Sequence, residues 1–389
     1  MNKGKSVFAQ LMSFVPWYEF DKCVVRYNGD YKVQTFTCRQ QFLVMYFAHL
    51  TNRESLRDIE ACLNAVPEKL YHSGIRQLIK RSTLSDANES RDWRIFADFA
   101  QVLIPEARSL YVNDNDFMVK LKNMAYAFDT TSIDLCLSLF PWAKFRKNKG
   151  AVRAHTLMDL RGSIPTFIKL TDGLCHEVNV LDDLIFEPGA FYIMDRAFVD
   201  FDRLYNIDQC GAFFVTRSKS NLKFRRIASK KVDKKAGLIC DQMIRLTGFY
   251  STKDYPDTLR RVKFHDKETG KTLIFLTNNF RISAKNVTKL YKERWKIELF
   301  FKWIKQNLRI KVFYGTSRNA VYLQIWTAIC VYILLAIIKA KLNLKIGLHT
   351  MSQIFEFCVF EKTPLYQLFE ENKLTKLQTE FSNQLILFE

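Results

Sequence analysis

Tyr291-Lys-Glu-Arg-Trp-Lys-Ile-Glu-Leu-Phe-Phe-Lys-Trp-Ile-Lys305 is the stretch on which the reading of this chain turns. Tyr291, Arg294, Glu298 and Lys305 stand 3, 4 and 7 residues apart. At about 100° per residue those steps keep all four within roughly 60° of one helical face. The acid is flanked by Ile297, Leu299, Phe300 and Phe301, so its carboxylate has to be paired or used. An i,i+4 salt-bridge ladder accounts for Arg294 and Glu298. It leaves Tyr291 unexplained, and also the nine basic residues against two acids between Lys285 and Lys311. A carboxylate between two cations and a phenol is a phosphate-contacting surface beside a metal ligand.

Two more acids stand out upstream. AYAFDTTSIDL and FYIMDRAFVD contain apolar runs that end in Asp129 and Asp195, and open α/β sheets collect functional groups at the carboxyl ends of strands. Either aspartate alone reads better as a strand-end turn cap. With Glu298 they make three carboxylates, the set two divalent ions need, because Mg²⁺ is held by few carboxylates plus substrate phosphate oxygens. Two such ions roughly 3.5–4 Å apart activate a water and stabilise the leaving oxygen of a phosphodiester.

The rest of the chain supplies a frame for these acids. Residues 1 to about 118 read as mostly helical. Thr51 to Glu54 has the capping-box form before LRDIEACL, Pro67 opens PEKLYHSGIRQLIKR, and Ser82 to Asn88 starts a helix through DWRIFADFAQVLI. Short helices of this kind suit a helix-turn-helix DNA reader or, equally, a helical packing domain. From Met124 the pattern turns to strands, with Arg161-Gly162 as a hairpin turn and KETG joining TLRRVKFHD to KTLIFLTNN. Ser283 reads as the N-cap of a long helix containing the opening stretch.

The 389 residues carry 59 Lys and Arg against 40 Asp and Glu, a net charge of +19, and 48% are hydrophobic. That apolar share excludes a mainly disordered chain, the length calls for two or three domains, and the charge favours an acidic partner, nucleic acid or an anionic membrane. Arg217 to Lys235 holds nine basic residues against one acid, and Lys144 to Arg153 holds five with none. Phosphate neutralisation by such runs is sequence-independent and salt-sensitive, although a solvated loop is the usual meaning of a charge run. Phe145, Phe224 and Trp295 are candidate stacking groups for a distorted DNA end, and each suits plain packing as well. Nine scattered cysteines without a C-x-x-C speak for reduced thiols and against a zinc knuckle or disulfide framework. The N-terminus makes a poor signal peptide, its apolar run being broken by Gln10, Ser13 and Pro16. Asn319 to Ile338 is uncharged for 20 residues and passes the length test for a membrane span. Asn319, Gln324, Thr327 and the basic stretch before it favour a buried helix of an α/β core.

Y-(2)-R-(3)-E-(6)-K, as Tyr291, Arg294, Glu298 and Lys305, resembles the signature of the DDE transposases of the IS-four family of bacterial insertion sequences. AFDTTSIDL looks like that family's first-Asp strand, YIMDRAFVD like its second, and LTNNF like the run into the last catalytic segment. SLRDIE and RSTLSDAN look like the DNA-binding start of one subgroup. Ala197 stands where many relatives have Gly, a common exchange. The resemblance implies an α/β fold: an RNase H-like catalytic core interrupted by a mostly β insertion, with a helical N-terminal DNA-binding domain and a helical C-terminal tail. The implied segments are 1–118 for DNA binding, 119–200 and 281–345 for the two parts of the core, 201–280 for the insertion and 346–389 for the tail. Asp129 and Asp195 are 66 residues apart, room for a three-stranded hairpin unit, and the 103 residues to Glu298 must contain inserted structure.

By the same resemblance Asp129, Asp195 and Glu298 would be catalytic and hold two Mg²⁺ ions, with Mn²⁺ as a substitute. Tyr291, Arg294, Lys305, Arg196 and Lys302 would contact DNA. The implied protein is a cytoplasmic, nucleoid-associated bacterial transposase with no membrane contact. It would bind double-stranded DNA at terminal inverted repeats as a homodimer, cut the element ends and join their 3′-OH groups to target DNA, with a DNA hairpin as a conceivable intermediate. Alternatives are a catalytically inactive transposase-derived DNA-binding protein and a structure-specific nuclease on the same core.

Overall fold

The computed structural model of the chain describes residues 4–112, 123–147, 149–308 and 313–369. The boundary drawn at 118 and the tail beyond 369 lie outside the described residues. Contacts divide the chain into two compact units, residues 1–110 with 307–389, and residues 111–306.

In the helical unit, helix Cys38–Leu50 opens with a capping box between Thr37 and Gln40 and is buried almost all round. Its Phe42 packs with Phe20 and Phe99, the three ring centroids 5.0–5.5 Å apart. The cap expected at Thr51 forms instead at Ser55, which accepts the Asp58 N–H and starts helix Leu56–Asn64. Thr51 donates its hydroxyl back to the Phe47 carbonyl, closing the preceding helix. The helix expected after Pro67 stops within two short turns, Pro67–Leu70 and Tyr71–Ser73, because Gly74 takes φ 91°. The helix expected from Ser82 is two helices, Arg81–Ser90 and Arg94–Leu110.

The uncharged stretch forms helix Arg318–Lys341, with every residue from Ala320 to Ile338 buried. It packs on Arg94–Leu110, Cys38–Leu50 and Arg81–Ser90, and so belongs with the helical unit rather than with the core segment 281–345 that the resemblance implies. Asn319, Gln324 and Thr327, the uncharged polar residues that argue against lipid, are all hydrogen-bonded. Asn319 donates to the carbonyls of Asn88 and Arg91 at 2.9 and 2.7 Å, Gln324 accepts the Tyr314 N–H at 2.9 Å, and Thr327 donates to Leu323 O at 2.8 Å.

Among the described residues the second unit is built on ten strands: β1 (Ala125–Leu135), β2 (Lys144–Arg146), β3 (Lys149–Asp159), β4 (Ile164–Asp172), β5 (Phe191–Met194), β6 (Phe213–Arg217), β7 (Phe224–Lys230), β8 (Leu238–Leu246), β9 (Leu259–His265) and β10 (Thr272–Thr277). β1, β3 and β4 form an antiparallel set, turning between β3 and β4 at Gly162, whose φ is 69°. On its other edge β1 runs parallel to β5, and β5 to β6. The order β4–β3–β1–β5–β6 is the RNase H-like core, and β2 pairs with the start of β3. β10, β9, β8 and β7 continue the same sheet beyond β6 as antiparallel neighbours. The mostly β insertion therefore widens the core sheet. Helix Phe201–Gln209, capped by Asp200, is the crossover that the parallel pair β5–β6 requires. So the segment drawn as 201–280 opens with one core helix and one core strand.

Tyr126, Phe128, Tyr192, Met194 and Phe214 meet Leu204 and Ile207 of the crossover helix in one apolar core. Helix Ala284–Glu293, capped by Ser283 as expected, packs on β5, β6, β8 and β9.

Candidate active site

β1 and β5 run parallel with Phe128 opposite Met194, so the next residues, Asp129 and Asp195, emerge side by side. Side chains alternate along a strand, and both acids follow residues committed to the apolar core, so both are turned to the other face. β5 stops at Met194, whereas β1 continues to Leu135 beside β3. Asp129 is therefore inside its strand and not at its end, at the point where β1 loses its parallel neighbour.

The third acid comes from the helices. The continuous helix expected from Ser283 is broken at Arg294 into Ala284–Glu293 and Trp295–Leu308. The Arg294 N–H bonds Tyr291 O at 3.2 Å and the Ile297 N–H bonds Arg294 O at 3.1 Å, a tightened i→i+3 turn. Arg294 donates from Nη1 to Asp129 Oδ2 at 2.7 Å and from Nη2 to Glu298 Oε1. Tyr291 donates its hydroxyl to Asp195 Oδ1 at 3.0 Å, its ring 4.9 Å from that of Phe275. One turn of backbone thus addresses all three acids.

Asp129, Asp195, Arg294, Glu298, Lys302 and Lys305 line one cavity of about 540 Å³. Tyr291 stands behind Asp195, and Arg196, exposed in the turn Arg196–Phe198, is not among the lining residues. Trp295 is 59% exposed. Phe145 lies under the guanidinium groups of Arg146 and Arg153, and Phe224 under that of Arg261.

Burial pushes the Asp129 carboxyl up to about 6, opposed by Arg294 and the Thr130 N–H and assisted by Asp195 and Glu298. Three carboxylates around one cavity are hard oxygen donors, the donor chemistry of a divalent cation. Asp129, buried and facing two other acids, is the group whose charge such a cation would stabilise most. The set therefore fits a metal of that class. Among the described residues no three ligand side chains converge as a finished metal cage.

Sequence reasoning missed His155. This buried ring has Nδ1 2.8 Å from Thr130 Oγ1 and Nε2 2.9 Å from Thr171 Oγ1. Thr171 gives its own proton to Asp172 O at 3.0 Å, which assigns the ring proton to Nε2 and makes Nδ1 the acceptor of the Thr130 hydroxyl. Burial, with Arg153 and Lys169 acting the same way, lowers its pKa to about 4, so the ring is neutral at pH 7. His155 lies in an apolar strand, and its partners come from two other strands, so no local pattern marks it.

Comparison with known proteins places the chain. The family described as "Transposase DDE domain" matches residues 121–334, and a "Domain of unknown function (DUF4372)" matches residues 3–76. A protein of Sinorhizobium fredii named as a transposase is 31% identical over 284 residues, 72% of this chain and 77% of that one. A Geobacillus stearothermophilus protein, named as the transposase for insertion sequence element IS5377, is 29% identical over 53% of this chain and 54% of its own. A Synechocystis protein, named as the transposase for IS4SA, is 23% identical over 66% of this chain and 71% of its own. The matched region holds all three acids of the cavity together with the broken signature helix, and the chain belongs to the DDE transposases.

Proposed function

We propose that this transposase binds the terminal inverted repeats of an insertion sequence, cuts the DNA at the element ends and joins the freed 3′-OH groups to target DNA. The observation that supports it best is the meeting of Asp129, Asp195 and Glu298 with Arg294, Lys302 and Lys305 around one cavity. DDE transposases depend on divalent metal, and in this chain Asp129, Asp195 and Glu298 would hold it, as two Mg²⁺ ions or Mn²⁺ in their place. When bound, the metal supplies an activated attacking oxygen and a stabilised leaving oxygen.

The side chains do the rest. Lys302 and Lys305 present ammonium groups to phosphate oxygens beside the cut, and Arg294 takes a neighbouring phosphate through its planar fork. Tyr291 fixes the orientation of the Asp195 carboxylate. Exposed Arg196 adds a contact to the DNA flank. In joining, the 3′-OH oxygen bonds to a target phosphorus in line as the target's own O3′–P bond breaks; the attacking hydroxyl gives its proton to water, and the released O3′ takes one from water. The N-terminal helices read the repeat, and two copies of the chain pair the two ends. The protein works in the cytoplasm on nucleoid DNA, a reading supported by helix Arg318–Lys341, whose apolar window is fully buried within the protein.

The test uses DNA carrying the element's own ends. Asp129→Asn, Asp195→Asn and Glu298→Gln should each abolish Mg²⁺-dependent cleavage while binding to the end persists. Cleavage surviving in any one of them removes that residue from the site. Covalent products joining element 3′ ends to target DNA separate a transposase from a nuclease, and a wild-type chain that binds ends but never cuts them is the inactive relative.

A further inference from the structure

The double salt link of Arg294 is the feature of the site that phosphate chemistry does not require. Its guanidinium bonds Asp129, from the sheet, and Glu298, from the helix, while Asp195 is held separately by Tyr291. Arg294 Nε is buried with no hydrogen-bond partner, so the ion pairs run through its two Nη atoms, with the guanidinium lying over the Tyr291 ring. All three acids line one cavity, yet they do not close as a metal cage. A carboxylate oxygen that accepts a guanidinium N–H has a lone pair engaged, and the fixed positive charge repels an incoming dication.

We propose that Arg294 occupies the metal-binding carboxylates of the DNA-free enzyme as a removable cation, so that metal enters only as the guanidinium releases Asp129 and Glu298. This rests on the reading of those acids as metal ligands. Guanidinium and metal compete for the same oxygens, so Arg294 weakens metal binding to the free protein. The released side chain remains beside Lys302 and Lys305 with five donors and no acceptor. A DNA phosphate is the anion that satisfies it. Metal loading and phosphate capture are then coupled through one side chain, and by linkage each favours the other.

The sign of the effect separates this from a brace that merely holds the ligands in place, whose loss would weaken metal binding. Mn²⁺ binding to the DNA-free full chain is followed by electron paramagnetic resonance at pH 7.5 for wild type, Arg294→Gln, Arg294→Lys and Asp129→Asn, with circular dichroism to confirm folding. Arg294→Gln should bind Mn²⁺ roughly tenfold more tightly than wild type, the scale of one charge-assisted hydrogen bond no longer opposing the ion. Arg294→Lys, too short to bridge both acids, should fall between them, and it serves alone if the glutamine variant does not fold. Asp129→Asn should lose the tight Mn²⁺. If Asp129→Asn loses it while neither Arg294 variant binds more tightly than wild type, the competing-cation role is overturned and the site reading stands. If Asp129→Asn binds Mn²⁺ as well as wild type does, both are overturned.

Discussion

The ring of His155 touches neither a candidate carboxylate nor solvent, yet it joins three strands, β1 through Thr130, its own β3 and β4 through Thr171. Thr130 also gives its backbone N–H to Asp129, so the ring stands one residue away from the acid. Its pKa is about 4 in the folded protein against an ordinary 6.5. Between those values the unfolded chain binds a proton that the folded chain refuses. Stability is therefore complete above about pH 6.5 and falls as pH drops towards 4, by up to about 3 kcal/mol from this one group. His155→Gln cannot charge and should flatten that part of the dependence. Urea unfolding of both proteins at pH 7 and pH 5 measures it, and equal losses in the two would place the titrating group elsewhere.

At the scale of elements, a buried ion pair fastens the inserted strands to the loop that leads into helix Ala284–Glu293. Arg260 on β9 grips Asp241 on β8 through Nε and Nη2, both at 2.8 Å, with side chains 3% and 6% exposed. Its Nη1 donates to the carbonyls of Asn279 and Ile282, in the loop that delivers helix Ala284–Glu293. Asp241→Asn leaves that guanidinium buried and half-paired, which should cost about 3 kcal/mol. A thermal midpoint unchanged from wild type would show that the pair is dispensable. Elements were legible in the sequence where cause and consequence lie within a few residues. The Ser283 cap, the Gly162 turn and the two apolar strands carrying Asp129 and Asp195 are of this kind, as is the spacing that gathers Arg294, Glu298 and Lys305. What depends on distant partners was not. The break at Arg294 goes with a bond to an acid 165 residues away. The grip of Arg260 on Asp241 joins two inserted strands, and helix Arg318–Lys341 finds its partners more than two hundred residues back. Between Thr51 and Ser55 both caps were chemically sound, and only the packed helix decides which one is used.

At the scale of the whole molecule, the helical unit is discontinuous in sequence, with residues 111–306 falling between its two parts. Helix Arg318–Lys341 covers apolar faces of Cys38–Leu50 and Arg94–Leu110, and Cys330 donates its thiol to the Phe96 carbonyl at 3.3 Å. A fragment of residues 1–112 alone would leave those faces bare, a contiguous apolar surface of the kind that drives aggregation. It should be insoluble or loosely packed by itself and become soluble when residues 307–389 are co-expressed with it. Residues 111–306 have their own sheet, core and buried ion pair, and should fold alone with a cooperative unfolding transition. The same pair of fragments tests the membrane alternative. A helix that belonged in lipid would contribute nothing to residues 1–112, which would then be soluble and well packed without it. If 1–112 gives dispersed amide spectra by itself and is indifferent to the C-terminal fragment, the helix is not part of that core, and its 20 uncharged residues need another explanation.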